Sequence, residues 1–384
     1  MLYCSAVFVP HSQTCLNSYT THIDIPRNPS IHTRYPTLTE TTMTSRIEKT
    51  IARQQEKIAA GAYYESHQQL RVIAARYLKQ QNYDAAADIL AGGAKALLRA
   101  PGASASGGDL AIMLIIDVYN KAEWEVGRDE VGRGRKKRLI ELLRDFPPEE
   151  PTRKRYMNEL VAWSARFGEL ERGDPEIHHE IGSLFAQENE PYDAERHLAI
   201  GTADSAEVLA RLEYDWYTHD EPHTAGIYAS RAVFPYLLTG NLRDANKAFL
   251  IFTSRLSSSG TSQALNIQQV SSQSADVRVY PSLPLLNFTS LLLLAIQRGT
   301  ADLFRQLTRQ YGMHIREVDG WERALAYIGE LYFGIKIPKQ SNPLMDMMGM
   351  MFGGGGAGGR AGAKPARQQK TAGRVEAPPS MDLD

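Results

Sequence analysis

The chain has 384 residues, of which 43% are hydrophobic, enough for a sizeable core. Its 43 Lys and Arg nearly balance 44 Asp and Glu, a net charge of −1 that argues against a dedicated nucleic-acid binder. Both cysteines, Cys4 and Cys15, sit at the N-terminus, so the body carries no disulfide framework, zinc cluster or Cys nucleophile, which suits the cytosol.

Residues 1–42 hold four prolines and many Ser and Thr, and read as a disordered or spurious extension. Met43 offers an alternative start, and Thr44 or Ser45 a cap for a first helix, Arg46 to Ala60. Helices follow at Tyr63–Lys79 and Tyr83–Ala100. Pro101 to Gly108 reads as a loop, with Asp109 capping Leu110–Val126. Further helices are expected at Arg135–Phe146, Pro151–Phe167, Pro175–Glu188, Tyr192–Ile200, Ser205–His219, Thr224–Thr239 and Leu242–Leu256. Gln263 to Tyr280 breaks the pattern and reads as either a short β-hairpin or a plain loop. Helices resume at Leu283–Gln297, Ala301–Gly312 and Gly320–Phe333. The Leu283–Ile296 stretch contains Pro284, Asn287, Thr289 and Ser290 and is too short for a membrane span, so it reads as a core helix. Residues 338–384 form a Met- and Gly-rich tail expected to be disordered.

The second helix of several pairs opens alike: Tyr83-Asp84-Ala85, Tyr192-Asp193-Ala194-Glu195, Leu242-Arg243-Asp244-Ala245. Small residues there let antiparallel helices approach closely, and the acid favours a helix N-terminus. The fold class is therefore all-α, an α-α superhelix of tetratricopeptide-like hairpins. Two halves are expected, 43–190 and 191–337.

Catalytic motifs fail on inspection. His178-His179-Glu180 would need a histidine at 183 to be a zinc-protease helix, and that residue is Ser183. One of these histidines should pack and the other be solvated. Gly92-Gly93-Ala94-Lys95 lacks the leading glycine and the hydroxyl residue of a phosphate loop. No metal site, cofactor site or catalytic residue is expected. The basic run Arg133–Arg138 reads as a solvated loop and helix start, or as a contact for phosphate, a nuclear signal or a dock for an acidic partner, with too few aromatics for RNA. Tyr63, His67 and Arg71 fall at i, i+4 and i+8 and share one helix face, in residue types that anchor interfaces; the other reading is that Tyr63 packs on the preceding helix and Arg71 is solvated. Met345, Met347, Met348, Met350 and Met351 form an adaptable apolar cluster, either a partner-binding surface or a turn that packs on the last repeat.

Short segments in order along the chain then carry a resemblance. They are Gly61-Ala62-Tyr63-Tyr64-Glu65-Ser66-His67-Gln68, Gly107-Gly108-Asp109-Leu110, Gly173-Asp174-Pro175 and Tyr192-Asp193-Ala194-Glu195-Arg196. Val233-Phe234-Pro235-Tyr236-Leu237, Leu285-Leu286-Asn287-Phe288, Tyr332-Phe333-Gly334 and Pro338-Lys339-Gln340 complete them. Together they resemble the Golgi to ER traffic protein 4 family, helical adaptors of the guided entry of tail-anchored proteins. The resemblance implies a non-enzymatic cytosolic adaptor. It would bridge a ubiquitin-like-domain co-chaperone, through that protein's N-terminal segment, to the pathway's targeting ATPase and modulate the nucleotide cycle. A tetratricopeptide co-chaperone and tail-anchored clients would be reached indirectly. It further implies an ATPase-binding face with Tyr63, His67, Arg71 and Asp109, and a ubiquitin-like-partner face. For the latter, the apolar residues Ile267, Val270, Val277, Leu285, Leu286 and Phe288 are the candidates. The rival reading is a helical-repeat scaffold of another cytosolic assembly, such as a proteasome lid; a winged-helix end would favour it, and none is legible here.

Overall fold

The computed structural model describes residues 38–127, 129–258, 268–271 and 276–336. The expectations for residues 1–37, Ile267, the Met cluster and the tail lie outside the described residues. Backbone contacts divide the chain into two units, one reaching to His219 and including Leu250–Phe252, the other built from the remainder.

The first unit is a succession of antiparallel helices: α1 (Leu38–Ala59), α2 (Tyr63–Lys79), α3 (Tyr83–Arg99), α4 (Ser104–Met113), α5 (Glu130–Asp145), α6 (Thr152–Phe167), α7 (Pro175–Gln187), α8 (Pro191–Leu198) and α9 (Ser205–Tyr217). Sequence neighbours pack on one another, α2 on α3, α3 on α4 and α7 on α8. The turns are built alike. A left-handed residue, Gly61, Gln81 or Asn189, ends the leading helix. The next residue's amide then reaches five residues back: Ala62 to Lys57, Asn82 to Tyr77, Glu190 to Phe185, at 2.9–3.0 Å. This bond satisfies a carbonyl the helix would otherwise leave open. In the second unit Gly240 and the Asn241-to-Tyr236 bond (2.8 Å) repeat the device. The alanines of the shared openings, Ala85, Ala194 and Ala245, are all buried, as close helix approach demands.

The structure changes three sequence expectations. Helix α1 opens at Leu38, so Thr44 and Ser45 lie inside it rather than capping it; no Pro or Gly after Pro36 stops the helix. The run Pro101–Gly108 is not all loop, because α4 begins at Ser104 and Ala103 takes the cap position, leaving Asp109 in mid-helix. Packing overrides the glycines' poor helix propensity there. A Cβ on Gly107 would stand 2.6 Å from the Leu98 amide nitrogen, and one on Gly108 would strike Thr152. The expected helix to Val126 instead passes into a π-helical turn, Leu114–Tyr119. Beyond that turn Tyr119 and Trp124 meet edge to face at 5.0 Å, and Trp163 joins Tyr119 at 5.3 Å. The Trp163 indole N–H donates to the Trp124 carbonyl, and the Tyr119 hydroxyl to the Arg135 carbonyl.

The second unit holds α10 (Ala225–Leu238), entered through a 3₁₀ turn at Pro222–Thr224, and α11 (Leu242–Ser258) apart from Leu250–Phe252. Strands β1 (Gln268–Ser271) and β2 (Asp276–Val279) pair antiparallel, so the hairpin reading holds over the loop reading. Then come α12 (Pro284–Arg298), α13 (Ala301–Gln310), the short α14 (Gly312–Arg316), which the sequence did not announce, and α15 (Trp321–Phe333). Helix α12 is the expected core helix, with Leu286, Phe288, Leu292 and Leu293 buried. Gly226 of α10 lets the two helices touch; a Cβ there would lie 2.7 Å from Leu285 Cβ.

Gly107→Val should lower the urea unfolding midpoint by the equivalent of roughly 1–3 kcal/mol, the usual cost of overpacking. The clash is with α3 backbone, which cannot rotate away. An unchanged midpoint would mean the α3–α4 contact is looser than described.

Candidate functional site

Helix α2 presents Tyr64 (78% exposed) and Val72 (61%) to solvent. They are eight residues apart and share a face with exposed Gln68. Tyr63, the aromatic picked from the sequence, is half-buried, and its neighbour Tyr64 is the one that stands out. The only sequence signal for this was the tyrosine pair itself, whose inward and outward members are settled by where α1 and α3 pack.

The other three candidates of this face meet. His67 is 8% exposed and its Nε2 lies 2.9 Å from Asp109 Oδ2. The Arg71 guanidinium donates to the same oxygen at 3.3 Å. Asp109 reaches them because it lies within α4 and not at its start. Its role as a helix cap, expected from the sequence, is thus replaced by a bridge from α4 to α2. Arg71 and Asp109 are both nearly half exposed, so their ion pair contributes only about 0–1 kcal/mol to stability. What it fixes is direction: buried His67 holds one carboxylate oxygen, and the cluster offers both signs of charge beside Tyr64.

The second candidate face is anchored by Asn287 of α12. Its side-chain carbonyl accepts from the Tyr280 amide at 2.9 Å, and its amide donates to the Tyr280 carbonyl at 2.8 Å. This two-point clamp ties the base of the hairpin to α12. The strand register sets Val270 opposite Val277. Leu285 is half-buried, but Leu286 and Phe288 are completely buried. Those two serve the unit's own core, Phe288 against Tyr311 and Trp321, and present no surface in this chain, unlike the exposed partner contacts expected of them. The partly exposed leucines of α12 are Leu285, Leu291 and Leu294. Sequence alone could not separate them, because leucines stand on every side of this helix.

The remaining chemical candidates resolve into structure. Arg135 stacks 3.7 Å over the Trp124 ring. Lys136 pairs with Asp174 and Glu176, and Arg138 with Asp88 at 2.8 Å. Much of the basic run is thereby spent within the fold, and it starts inside α5, whose cap is Asp129. His178 is buried; its Nε2 lies 2.8 Å from the Arg172 carbonyl and its Nδ1 2.9 Å from His197 Nδ1. A carbonyl only accepts, so Nε2 carries the proton and Nδ1 accepts from His197. His179 is partly buried and bonds the Ser205 hydroxyl. Among the described residues no group of His, Cys, Asp and Glu could hold a metal ion. Among those residues, too, no helix is long and apolar enough to cross a membrane.

Among the described residues the fold is helical apart from one two-stranded hairpin, and the described candidate residues lie on α2, α4, that hairpin and α12. The description "Golgi to ER traffic protein 4" belongs to the family model that matches residues 80–352. A relative of that name from Aspergillus fumigatus is 69% identical over 350 residues, covering 89% of this chain and 100% of its own length. The Schizosaccharomyces pombe protein of that name is 34% identical, covering 76% of this chain and 91% of its own. The crystal structure of C. therm. Get4 superposes with a TM-score of 0.72 at 50% identity, over 83% of this chain and all of that one. The chain belongs to the Golgi to ER traffic protein 4 family. The resemblance read from the short segments therefore holds, as does the all-α fold.

Burial pushes the His178 imidazole down, and holds His197 at about 4, with His178 and Arg196 adding to the effect. In the unfolded chain both titrate near 6.5. The unfolded state then binds more protons between those values, so stability is lost as pH falls from about 6.5 towards 4. Asp174 and Asp193, the nearby carboxylates, oppose the shift without reversing it. Urea titrations at pH 7.5 and pH 5 should show a smaller loss for His197→Gln than for the parent; equal losses would remove the pair from the acid response.

Proposed function

We propose that the chain is a non-enzymatic cytosolic adaptor in the insertion of tail-anchored proteins into the ER membrane. It bridges a ubiquitin-like-domain co-chaperone to the targeting ATPase and modulates the ATPase's nucleotide cycle. Family membership supports the pathway; the reading of the faces rests on the residues. The observation that carries it is the junction of His67, Arg71 and Asp109 beside the exposed Tyr64 and Val72. An exposed aromatic next to a directed charge pair is the composition of an interface anchor. Mixed charge at its rim makes docking fast and salt-sensitive. Tyr63 flanks this patch as a packing support.

The second face takes the N-terminal segment of the ubiquitin-like protein. Val270 and Val277 of the hairpin, with Leu285, Leu291 and Leu294 of α12, supply its apolar surface. Ile267 belongs to the same proposal. An apolar groove or strand edge that accepts a partner segment is a common recognition mode. Asn287 positions this face without touching the partner.

Calorimetry with the two purified partners tests the reading. Tyr64→Ala combined with Arg71→Glu should weaken ATPase binding at least tenfold and leave the ubiquitin-like partner within twofold. Asn287→Ala should do the reverse. Loss of both partners in either variant would signal unfolding, and no loss in either would place the faces elsewhere.

A further inference from the structure

Helices α13, α14 and α15 enclose a groove of about 700 Å³ lined by Phe304, Met313, Ile315, Leu325 and Ala326. That volume is of the size that holds bound ligands. Met313 stands 74% exposed at its edge, although it is a large apolar side chain. The guanidinium-bearing Arg309 and Arg316 line the same groove.

The chain itself leads there. Gly334 ends α15 in the left-handed conformation. The turn sends the Ile335 amide back to the Gly329 carbonyl at 3.1 Å. Gly329 faces α13: a Cβ on it would meet Phe304 at 3.0 Å and Ile335 Cδ1 at 3.8 Å. Phe333 stacks on Phe304 at 4.8 Å. So the last described residues fold back across α15 towards Phe304, one of the groove's walls. Seven residues separate Lys336 from Leu344. That length spans up to about 26 Å, ample to reach the groove.

We infer that residues 344–352, Leu-Met-Asp-Met-Met-Gly-Met-Met-Phe, occupy this groove within the same chain. Their five methionines and flanking Leu344 and Phe352 are the flexible apolar side chains that fill an irregular trough. Asp346, the one charged residue among them, suits a lining that carries Arg309 and Arg316 against the single acid Glu322. The family match also ends at Phe352, taking in the methionines and stopping before the Gly/Arg-rich remainder. The segment then belongs to the second unit as its closing layer, because a stack of helical hairpins needs its last apolar face covered.

Disulfide trapping in the full chain tests this. In a Cys4→Ser, Cys15→Ser background, Met313→Cys is paired with Met348→Cys, and in a control with Ala363→Cys. Counted from Lys336, loop length alone favours the nearer pair by only about threefold in closure rate. Docking predicts thirtyfold or more, with the bond inside one chain. A ratio near threefold, or a bond formed chiefly between two chains, would overturn the proposal. Amide hydrogen exchange gives a second reading that needs no cysteine. Serine at all five tail methionines should speed exchange across residues 301–333 at least tenfold and leave α2 and α3 unchanged. Unchanged rates across 301–333 would overturn it equally.

Discussion

Close approach between successive helices is the constraint on which the rest depends. At the α2–α3–α4 contacts the facing positions are Ala86, Ala87, Gly93, Ala94 and Gly107, all buried. Gly93 stands where a Cβ would sit 2.5 Å from a Leu70 methyl. Larger side chains would hold the backbones apart, and Asp109 would no longer reach His67 across the α2–α4 gap. The same logic runs through the second unit, where Gly226 brings α10 against α12 and α12 in turn holds the hairpin through Asn287. The candidate surfaces are consequences of this packing. The exposed groups are those left outward once each hairpin has buried its small-residue side.

Much of this was legible in the sequence, because helical periodicity and caps are local. The openings Tyr83-Asp84-Ala85 and Tyr192-Asp193-Ala194 announced the hairpins, and Asn82 caps α3 through its side chain as its residue type suggests. Where the sequence misled, a distant contact decided. The glycines at 107 and 108 look like a loop, yet they are helical because α3 and α6 lie against them. Asp109 looks like a cap because it precedes an apolar run; it sits in mid-helix because the helix starts five residues earlier. The π turn at Leu114–Tyr119 has no local signature, and its reward lies in the contacts of Tyr119 with Trp124 and Trp163.

The sequence placed the candidate residues on their elements and left their exposure open. The Tyr63–Arg71 stripe was correctly placed on α2, but period alone does not say which tyrosine faces out. The many leucines of α12 hid the division between Leu286 and Phe288, which build the core, and Leu285, Leu291 and Leu294, which stay partly open. Such assignments depend on the neighbouring helix and hairpin, which sequence spacing does not encode. The His67–Asp109–Arg71 junction was not legible, because Asp109 was read as a cap and the contact runs from α4 to α2.

Each candidate face belongs to its own compact unit, so the proposed partners should bind independently. Native mass spectrometry of the chain mixed with both partners tests that most directly. One complex should hold the ATPase and the ubiquitin-like protein's N-terminal segment on the same chain, with neither partner lowering occupancy by the other. Mutually exclusive binding, with only binary complexes at saturating concentrations, would contradict it.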